Sequence, residues 1–119
     1  MATAACSGSG HASLYTRDAS SACLTGKGLR VGPVTNSSDF VADSATGGAF
    51  RVTLPHNRVT VSFGATLDDA GNIDQAYRRF HASNVGINDV LRRQANAIML
   101  WHSHPSDVDI ATVTGCLKN

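Results

Sequence analysis

Two histidines and one aspartate near the end of the chain have the side-chain types of a metal site. His102 and His104 flank one serine and precede Pro105, and Asp109 closes a Ser-x-x-Asp element that begins at Ser106. Two imidazole nitrogens and one carboxylate oxygen can hold zinc and leave a fourth position for a water that the metal activates. The alternative interpretation is a noncatalytic histidine turn between two helices.

The His-x-His-Pro string resembles the zinc site of the JAMM metalloproteases and their RadC-like relatives, and residues 94–100 resemble the segment that precedes it. That family uses a Glu as general base, whereas all nine acidic residues here are Asp. The spacing between the histidines and the Ser-x-x-Asp element is also several residues shorter, and that fold would not be complete at the last residue. An inactive zinc domain with ligands His102, His104 and Asp109 is therefore an alternative. The main interpretation includes no enzyme activity, no metal and no cofactor.

The composition favours one small domain over residues 1–119. Of these residues, 42% are apolar and 6% aromatic, and the formal charge is +1, with eight Arg among the ten basic residues. Affinity for a polyanion would therefore require basic side chains gathered on one face.

No apolar window approaches the ~18 to 20 residues of a membrane helix, and the start lacks the order of a signal peptide. We expect a soluble chain without a membrane partner. Cys6, Cys23 and Cys116 are odd in number and widely spaced, which predicts reduced thiols.

The clearest local element is a hairpin over residues 49–54 and 57–63, joined by Pro55 and His56. Apolar and polar residues alternate in both strands, so each strand has one face of each kind. The apolar face carries Phe50, Val52, Leu54, Val59, Val61 and Phe63. The polar face carries Arg51, Thr53, Arg58, Thr60 and Ser62.

The remaining pattern predicts an α+β fold, an antiparallel sheet of about five to seven strands followed by two C-terminal helices. Residues 1–82 read mainly as strands, with weaker candidates at 11–17, 22–25, 29–34, 39–42 and 73–82. Apolar residues at helical spacing predict a long helix over 84–101. The Ser-x-x-Asp cap predicts a short helix over 106–115. Two helices can cover only one face of a sheet, so the other face must be solvated or bound.

Arg, Thr and Ser on a free sheet face are hydrogen-bond donors suited to phosphates and base edges. An ordinary solvated face is the simpler alternative.

The same strands resemble those of the coat proteins of single-stranded RNA bacteriophages, the leviviral family. Residues 49–53 resemble that family's aromatic-basic-Val-Thr strand, and 57–58 with 60–62 resemble the next strand. Residues 74–77 resemble a Gln-Ala-Tyr stretch before the helices. The resemblance implies an obligate, interlocked homodimer that assembles into an icosahedral shell around the RNA genome, located in the virion and in the host cytoplasm during assembly.

On that interpretation the polar face of the sheet contacts single-stranded RNA. The alternation assigns Arg51, Thr53, Arg58, Thr60 and Ser62 to this face. The resemblance adds Arg78 and Phe80 from the last strand, with Phe80 stacked on an unpaired base. A third interpretation is an interaction domain, because residues 26–29 with Val34, Phe40 and Asp43 resemble the first half of a filamin-type immunoglobulin-like repeat.

Overall fold

One antiparallel sheet organises the chain in the computed structural model, which describes residues 14–34, 39–81 and 86–119. In chain order the elements are α1 (Arg17–Gly26), β1 (Arg30–Gly32), α2 (Phe40–Asp43), β2 (Ala49–Thr53), β3 (Arg58–Phe63), α3 (Leu67–His81), α4 (Ile87–Val90), β4 (Leu91–Gln94), β5 (Ala97–Trp101) and α5 (Asp107–Thr114). The five strands lie in the order β1-β2-β3-β5-β4. The predicted α+β class with an antiparallel sheet is confirmed at this level. The interlocked dimer stays a prediction.

The hairpin predicted from the alternation is present with the expected faces. Phe50 pairs with Val61 and Val52 pairs with Val59 across β2 and β3. All four side chains are buried, together with Trp101 of β5. We call this side of the sheet the covered face, because α1 and α5 pack against it.

A disulfide joins the two ends of the described chain beneath the covered face. Cys23 of α1 is bonded to Cys116, which follows α5, over a sequence separation of 93 residues. Leu24 and Val113 pack beside it in the same buried cluster. The prediction of reduced thiols is therefore wrong for these two cysteines, because local spacing carries no information on which distant helices meet. Cys6 lies outside the described residues.

Among the described elements, α2 and α3 cover part of the opposite face. Ile73 and Tyr77 of α3 form a second buried cluster with Leu91 and Ile98 from the sheet. The first turn of α3 approaches the end of β3 so closely that a Cβ on Gly64 would lie 2.4 Å from the backbone nitrogen of Ala70. Only glycine permits this approach, which fixes where α3 starts across the sheet.

Residues 73–82 belong to a helix as far as His81, so the predicted strand is wrong. Helix α3 begins at Leu67. The Thr66 hydroxyl accepts a hydrogen bond from the Asp69 backbone N–H at 3.0 Å, as in a helix N-cap. Asp68 and Asp69 in the first turn favour the helix through its dipole. Ala70, Ile73 and Tyr77 supply the buried stripe at helical spacing.

The predicted long helix over 84–101 is also wrong. Its described part contains the single turn α4 and then the hairpin of β4 and β5, which reverses at Ala95 with φ of 52°. Strand β5 lies inside the sheet, and both of its faces meet apolar partners. Met99 belongs to one core cluster and Ile98 to the other. A strand buried on both faces loses the period of two, and its apolar run then mimics a helix. The short predicted helix is present as α5, with the Ser106 hydroxyl accepting from the Asp109 N–H at 3.1 Å.

The N-terminal strand predictions fare no better. Residues 17 and 22–25 lie in α1, whose N-cap Thr16 accepts from the Ala19 N–H at 3.3 Å. Residues 40–42 lie in α2, and within the described part of these candidates only 29–34 contains a strand, β1. Residues 11–13 and 35–38 lie outside the described ranges. The filamin-type interpretation fails here, since Gly26 ends a helix and Phe40 and Asp43 lie in another, where an immunoglobulin-like repeat has strands.

Candidate nucleic-acid interface

The five residues predicted from alternation share one side of the sheet, which we call the arginine face. The register pairs Arg51 with Thr60, Thr53 with Arg58, and Ala49 with Ser62. Directly paired residues of an antiparallel sheet project on the same side. The hairpin therefore displays two arginines on the side opposite the covered face.

Helix α3 divides the arginine face into a closed and an open part. Ser62 is 0% exposed and Thr60 is 8% exposed, whereas Arg51 is half-buried and Thr53 and Arg58 are exposed. The buried hydroxyls of Thr60 and Ser62 cannot meet a ligand on this surface, so their prediction as RNA contacts is wrong. The open part lies toward the β2–β3 turn.

Two further residues complete the open part, and the sequence interpretation missed both. Arg30 of β1 pairs with Thr53, which in turn pairs with Arg58. The backbone N–H of His102 donates to the carbonyl of Arg58 at 2.8 Å, which extends the pairing of β3 with β5 by one residue. Arg30, Thr53, Arg58 and His102 therefore occupy one line across four strands, which we call the arginine row. At a strand spacing of about 4.8 Å the row is about 14 Å long.

The arginines of the open part keep their donors available. Within the described ranges no carboxylate forms an ion pair with Arg30, Arg51 or Arg58. Arg92, in contrast, donates to the backbone carbonyl of Asp89 at 2.8 Å, and Arg93 donates to that of Ala95 at 3.0 Å. The first three guanidinium groups can therefore bind an external anion without breaking an internal ion pair.

The turn that follows the row is held from two sides. Asn57 accepts a hydrogen bond from the Ser103 N–H at 3.1 Å and donates to the Ser103 carbonyl at 3.0 Å. Nδ1 of His104 lies 2.5 Å from a carboxylate oxygen of Asp89 in α4. These contacts tie the turn to the β2–β3 connection and to α4, and so fix the position of His102 at the end of the row.

A buried polar pair lies under the boundary between the closed and open parts. The Tyr77 hydroxyl donates to the Asp39 carboxylate, whose oxygens are 3.0 and 2.9 Å from the phenolic oxygen. Burial raises the pKa of Tyr77 well above its usual value; the Asp39 charge also raises this pKa, whereas the Ser62 hydroxyl and the Arg51 charge lower it. Arg51 is thus close enough to interact electrostatically with the Tyr77 hydroxyl.

Arg78 and Phe80 lie on α3, not on a strand of the arginine face. The Arg78 side chain donates to the Asp74 carboxylate at 2.6 Å and to the side-chain amide oxygen of Asn88 at 2.5 Å. It therefore serves to join α3 to α4. Phe80 is 56% exposed and packs edge-on against Phe40, with ring centroids 4.9 Å apart.

The histidine turn does not form a metal centre. Among the described residues, no three His, Cys, Asp or Glu side chains come together in a way that could hold a metal ion. His104 is paired with Asp89, and Asp109 lies in the first turn of α5. The ligand set of the alternative interpretation, His102, His104 and Asp109, is therefore not assembled.

Comparison with known proteins finds no relative. No family model, no curated protein and no solved structure matches this chain. The coat-protein resemblance thus rests on its sequence motifs alone. In the described ranges no helix has the length and apolar character needed to cross a membrane.

Local sequence patterns identify only some of the residues of the arginine face. Arg51, Thr53 and Arg58 belong to one hairpin, whose short turn sets their register. Arg30 and His102 join the row through strand pairings that local alternation cannot specify. The nearest available signal for Arg30 was the strand prediction at 29–34.

Proposed function

We propose that this chain is a structural protein that binds single-stranded RNA on the open part of its arginine face. The observation that carries the proposal is the arginine row, in which Arg30, Thr53, Arg58 and His102 form one line with Arg51 beside it. Guanidinium groups bind phosphate oxygens bidentately and also stack on bases. A line of such donors across a sheet is suited to the backbone of an extended strand.

The chemistry of the row favours RNA in single-stranded form. The Thr53 hydroxyl and the His102 imidazole can hydrogen-bond to base edges or to the ribose 2′-hydroxyl, and exposed bases are available only in unpaired segments. The half-exposed ring of Phe80 is the candidate for base stacking, since its edge-on contact with Phe40 leaves much of it accessible. We assign no catalytic role and no cofactor to these residues.

The second part of the proposal is self-assembly into a coat, as the leviviral resemblance implies. The two edges of the sheet differ in a way that supports one route to a homodimer. At the β4 edge, Arg92 and Arg93 fold over neighbouring backbone carbonyls, and charged side chains of this kind disfavour edge pairing. Strand β1 pairs only with β2 in the described structure, so its outer edge can accept a second copy. We place the assembled shell in the virion and its assembly in the host cytoplasm.

RNA binding is tested by fluorescence anisotropy with a labelled single-stranded RNA. We expect Arg51→Ala with Arg58→Ala to weaken binding at least tenfold. The negative slope of log K against log salt should become less steep by about 1.4, for two lost phosphate contacts. The matched control is Arg17→Ala with Lys118→Ala, which removes the same charge away from the arginine face. Equal losses in the two double variants would contradict the proposal.

Assembly is tested by electron microscopy and size-exclusion chromatography of the purified protein. The proposal predicts shells or large particles, and dimers when assembly is blocked. A protein that stays monomeric with and without RNA would disprove the coat function and leave the RNA interface to its own test.

A further inference from the structure

We propose that the Cys23–Cys116 disulfide regulates RNA binding by holding the arginine row complete at Arg30. This inference rests on the proposed function, since it concerns the same surface. The disulfide lies on the covered face, and Arg30 lies on the edge strand β1. Helix α1 is the connection between them.

The connection from the disulfide to Arg30 is short and hydrogen-bonded. The N–H of Lys27 donates to the Cys23 carbonyl at 3.2 Å, and the N–H of Leu29 donates to the Leu24 carbonyl at 3.2 Å. Strand β1 begins at the next residue, Arg30. A movement of the last turn of α1 should therefore also move the first residue of β1.

Strand β1 needs this external support. It has three residues and, among the described strands, pairs only with β2. Strands this short are marginal without further packing, because a few ladder hydrogen bonds only partly offset the loss of backbone entropy. Movement of α1 would thus change the position of Arg30 before that of Arg58, which lies in the strand between β2 and β5.

The two halves of α1 are held by different means. Its N-terminal side is fixed by hydrogen bonds, from the Thr16 N–H to the Lys118 carbonyl at 2.7 Å and from the Lys118 N–H to the Ser20 hydroxyl at 3.0 Å. Its C-terminal half, next to β1, is held by the disulfide and by burial of Leu24. Reduction removes the covalent restraint from the half that leads to Arg30 and leaves the other half attached.

The redox step needs a dithiol reductant of the thioredoxin type. Cys23 is half-buried whereas Cys116 is 0% exposed, so the thiolate of the reductant attacks the Cys23 sulfur. The Cys23–Cys116 bond breaks and a mixed disulfide forms on Cys23. The second thiol of the reductant then displaces Cys23. The protein gains two electrons and two protons as two thiols, and the reductant becomes a disulfide.

The experiment is a cycle of two redox states and two sequences, with single-stranded RNA as the probe. In the oxidised protein we expect Arg30→Ala to weaken binding about three- to tenfold. The negative slope of log K against log salt should become less steep by about 0.7, for one phosphate contact. The reduced parent should bind like this oxidised variant, and Arg30→Ala should then cost nothing more. The double variant Cys23→Ser with Cys116→Ser should behave as the reduced parent without any reductant.

Two controls separate this effect from general loosening. Arg58→Ala should weaken binding by the same factor in both redox states, because β3 does not depend on α1 for its position. Cys6→Ser leaves the bonded pair intact and should leave the redox response unchanged. Circular dichroism should show that the reduced protein keeps its secondary structure.

Each of the remaining outcomes contradicts either this inference or the proposed function. If Arg30→Ala costs the same in both redox states, the inference is wrong and the RNA interface stands. If the reduced chain unfolds, the disulfide supports the whole fold and a local link to Arg30 is disproved. If the oxidised parent does not bind RNA, the proposed function fails. Hydrogen exchange then decides the structural link alone, and unchanged protection of residues 30–32 on reduction would overturn it.

Discussion

Tyr77 donates its phenolic hydrogen to the carboxylate of Asp39, at 2.9 and 3.0 Å from the two oxygens, in the layer between α3 and the sheet. The same carboxylate accepts the Ala42 N–H at 3.0 Å and so caps α2. One buried charge therefore joins both helices that cover the closed part of the arginine face. The Tyr77 hydroxyl and the Ala42 N–H stabilise it inside the protein.

We expect Tyr77→Phe to lower the free energy of unfolding by about 1 to 3 kcal/mol, because it removes a donor from a buried carboxylate. Urea denaturation at neutral pH measures the loss. Phe80→Leu, at an exposed position on the same helix, is the control and should change stability much less. A Tyr77→Phe protein as stable as the parent would show that the hydrogen bond contributes nothing net.

The raised pKa of Tyr77 predicts a loss of stability in alkaline solution. The unfolded chain releases the phenolic proton near the usual pKa of 10.0, while the folded chain still holds it. The contribution of Tyr77 is thus fully present below pH 10 and is lost as the pH rises above that value. Stability measured against pH should fall more steeply above pH 10 in the parent than in Tyr77→Phe. Parallel curves would contradict the burial of this phenol.

Asn96 connects the N-terminal segment to the sheet, and its loss should be costly. Its side chain accepts the Tyr15 N–H at 2.7 Å and donates to the carbonyls of Tyr15 and Gly64, each at 2.9 Å. The residue is 1% exposed. We expect Asn96→Ala to destabilise the protein by about 2 to 4 kcal/mol, since three backbone groups lose a partner. Asn72→Ala, at an exposed position of α3, is the control, and a similar shift in melting temperature for both variants would refute the assignment.

The sequence predicts what depends on neighbours in the chain. The β2–β3 hairpin is recognisable because its alternation and its short turn specify the same register. The Ser106 cap likewise identifies α5 locally. Residues 97–101 mislead for a physical reason, because a central strand buried on both faces has no alternation and resembles the buried side of a helix.

The rest depends on contacts between distant residues. The disulfide and the arginine row both depend on which strands and helices lie side by side in the fold. No local pattern states that β1 lies beside β2, or that the residue after β5 continues the pairing with Arg58. Burial of Thr60 and Ser62 has the same origin, since it follows from the path of α3 and not from the alternation in β3.

Thr53 lies between Arg30 and Arg58, which makes it the most sensitive point for a charge test. Thr53→Asp places a carboxylate beside both guanidinium groups and competes with phosphate. We expect RNA affinity to fall at least tenfold, while stability changes by less than about 1 kcal/mol, because opposite charges across strands stabilise weakly. Thr53→Asn is the neutral control of similar shape, and anisotropy titrations compare the two. Equal RNA affinity in the Asp and Asn variants would place the binding surface elsewhere.

Gly32 offers the opposite test, a gain of binding. It pairs directly with Arg51, and a Cβ added there would meet no atom within 4 Å. Gly32→Arg should therefore fit, extend the cationic surface and raise RNA affinity several-fold, with a salt slope steeper by about 0.7. In the free protein the new charge opposes Arg51 and should cost about 0.2 to 1 kcal/mol at low salt, a cost that bound RNA reverses. Gly32→Gln adds a side chain without charge and serves as the control. If the two variants bind RNA equally well, the charge at this position does not contact the nucleic acid.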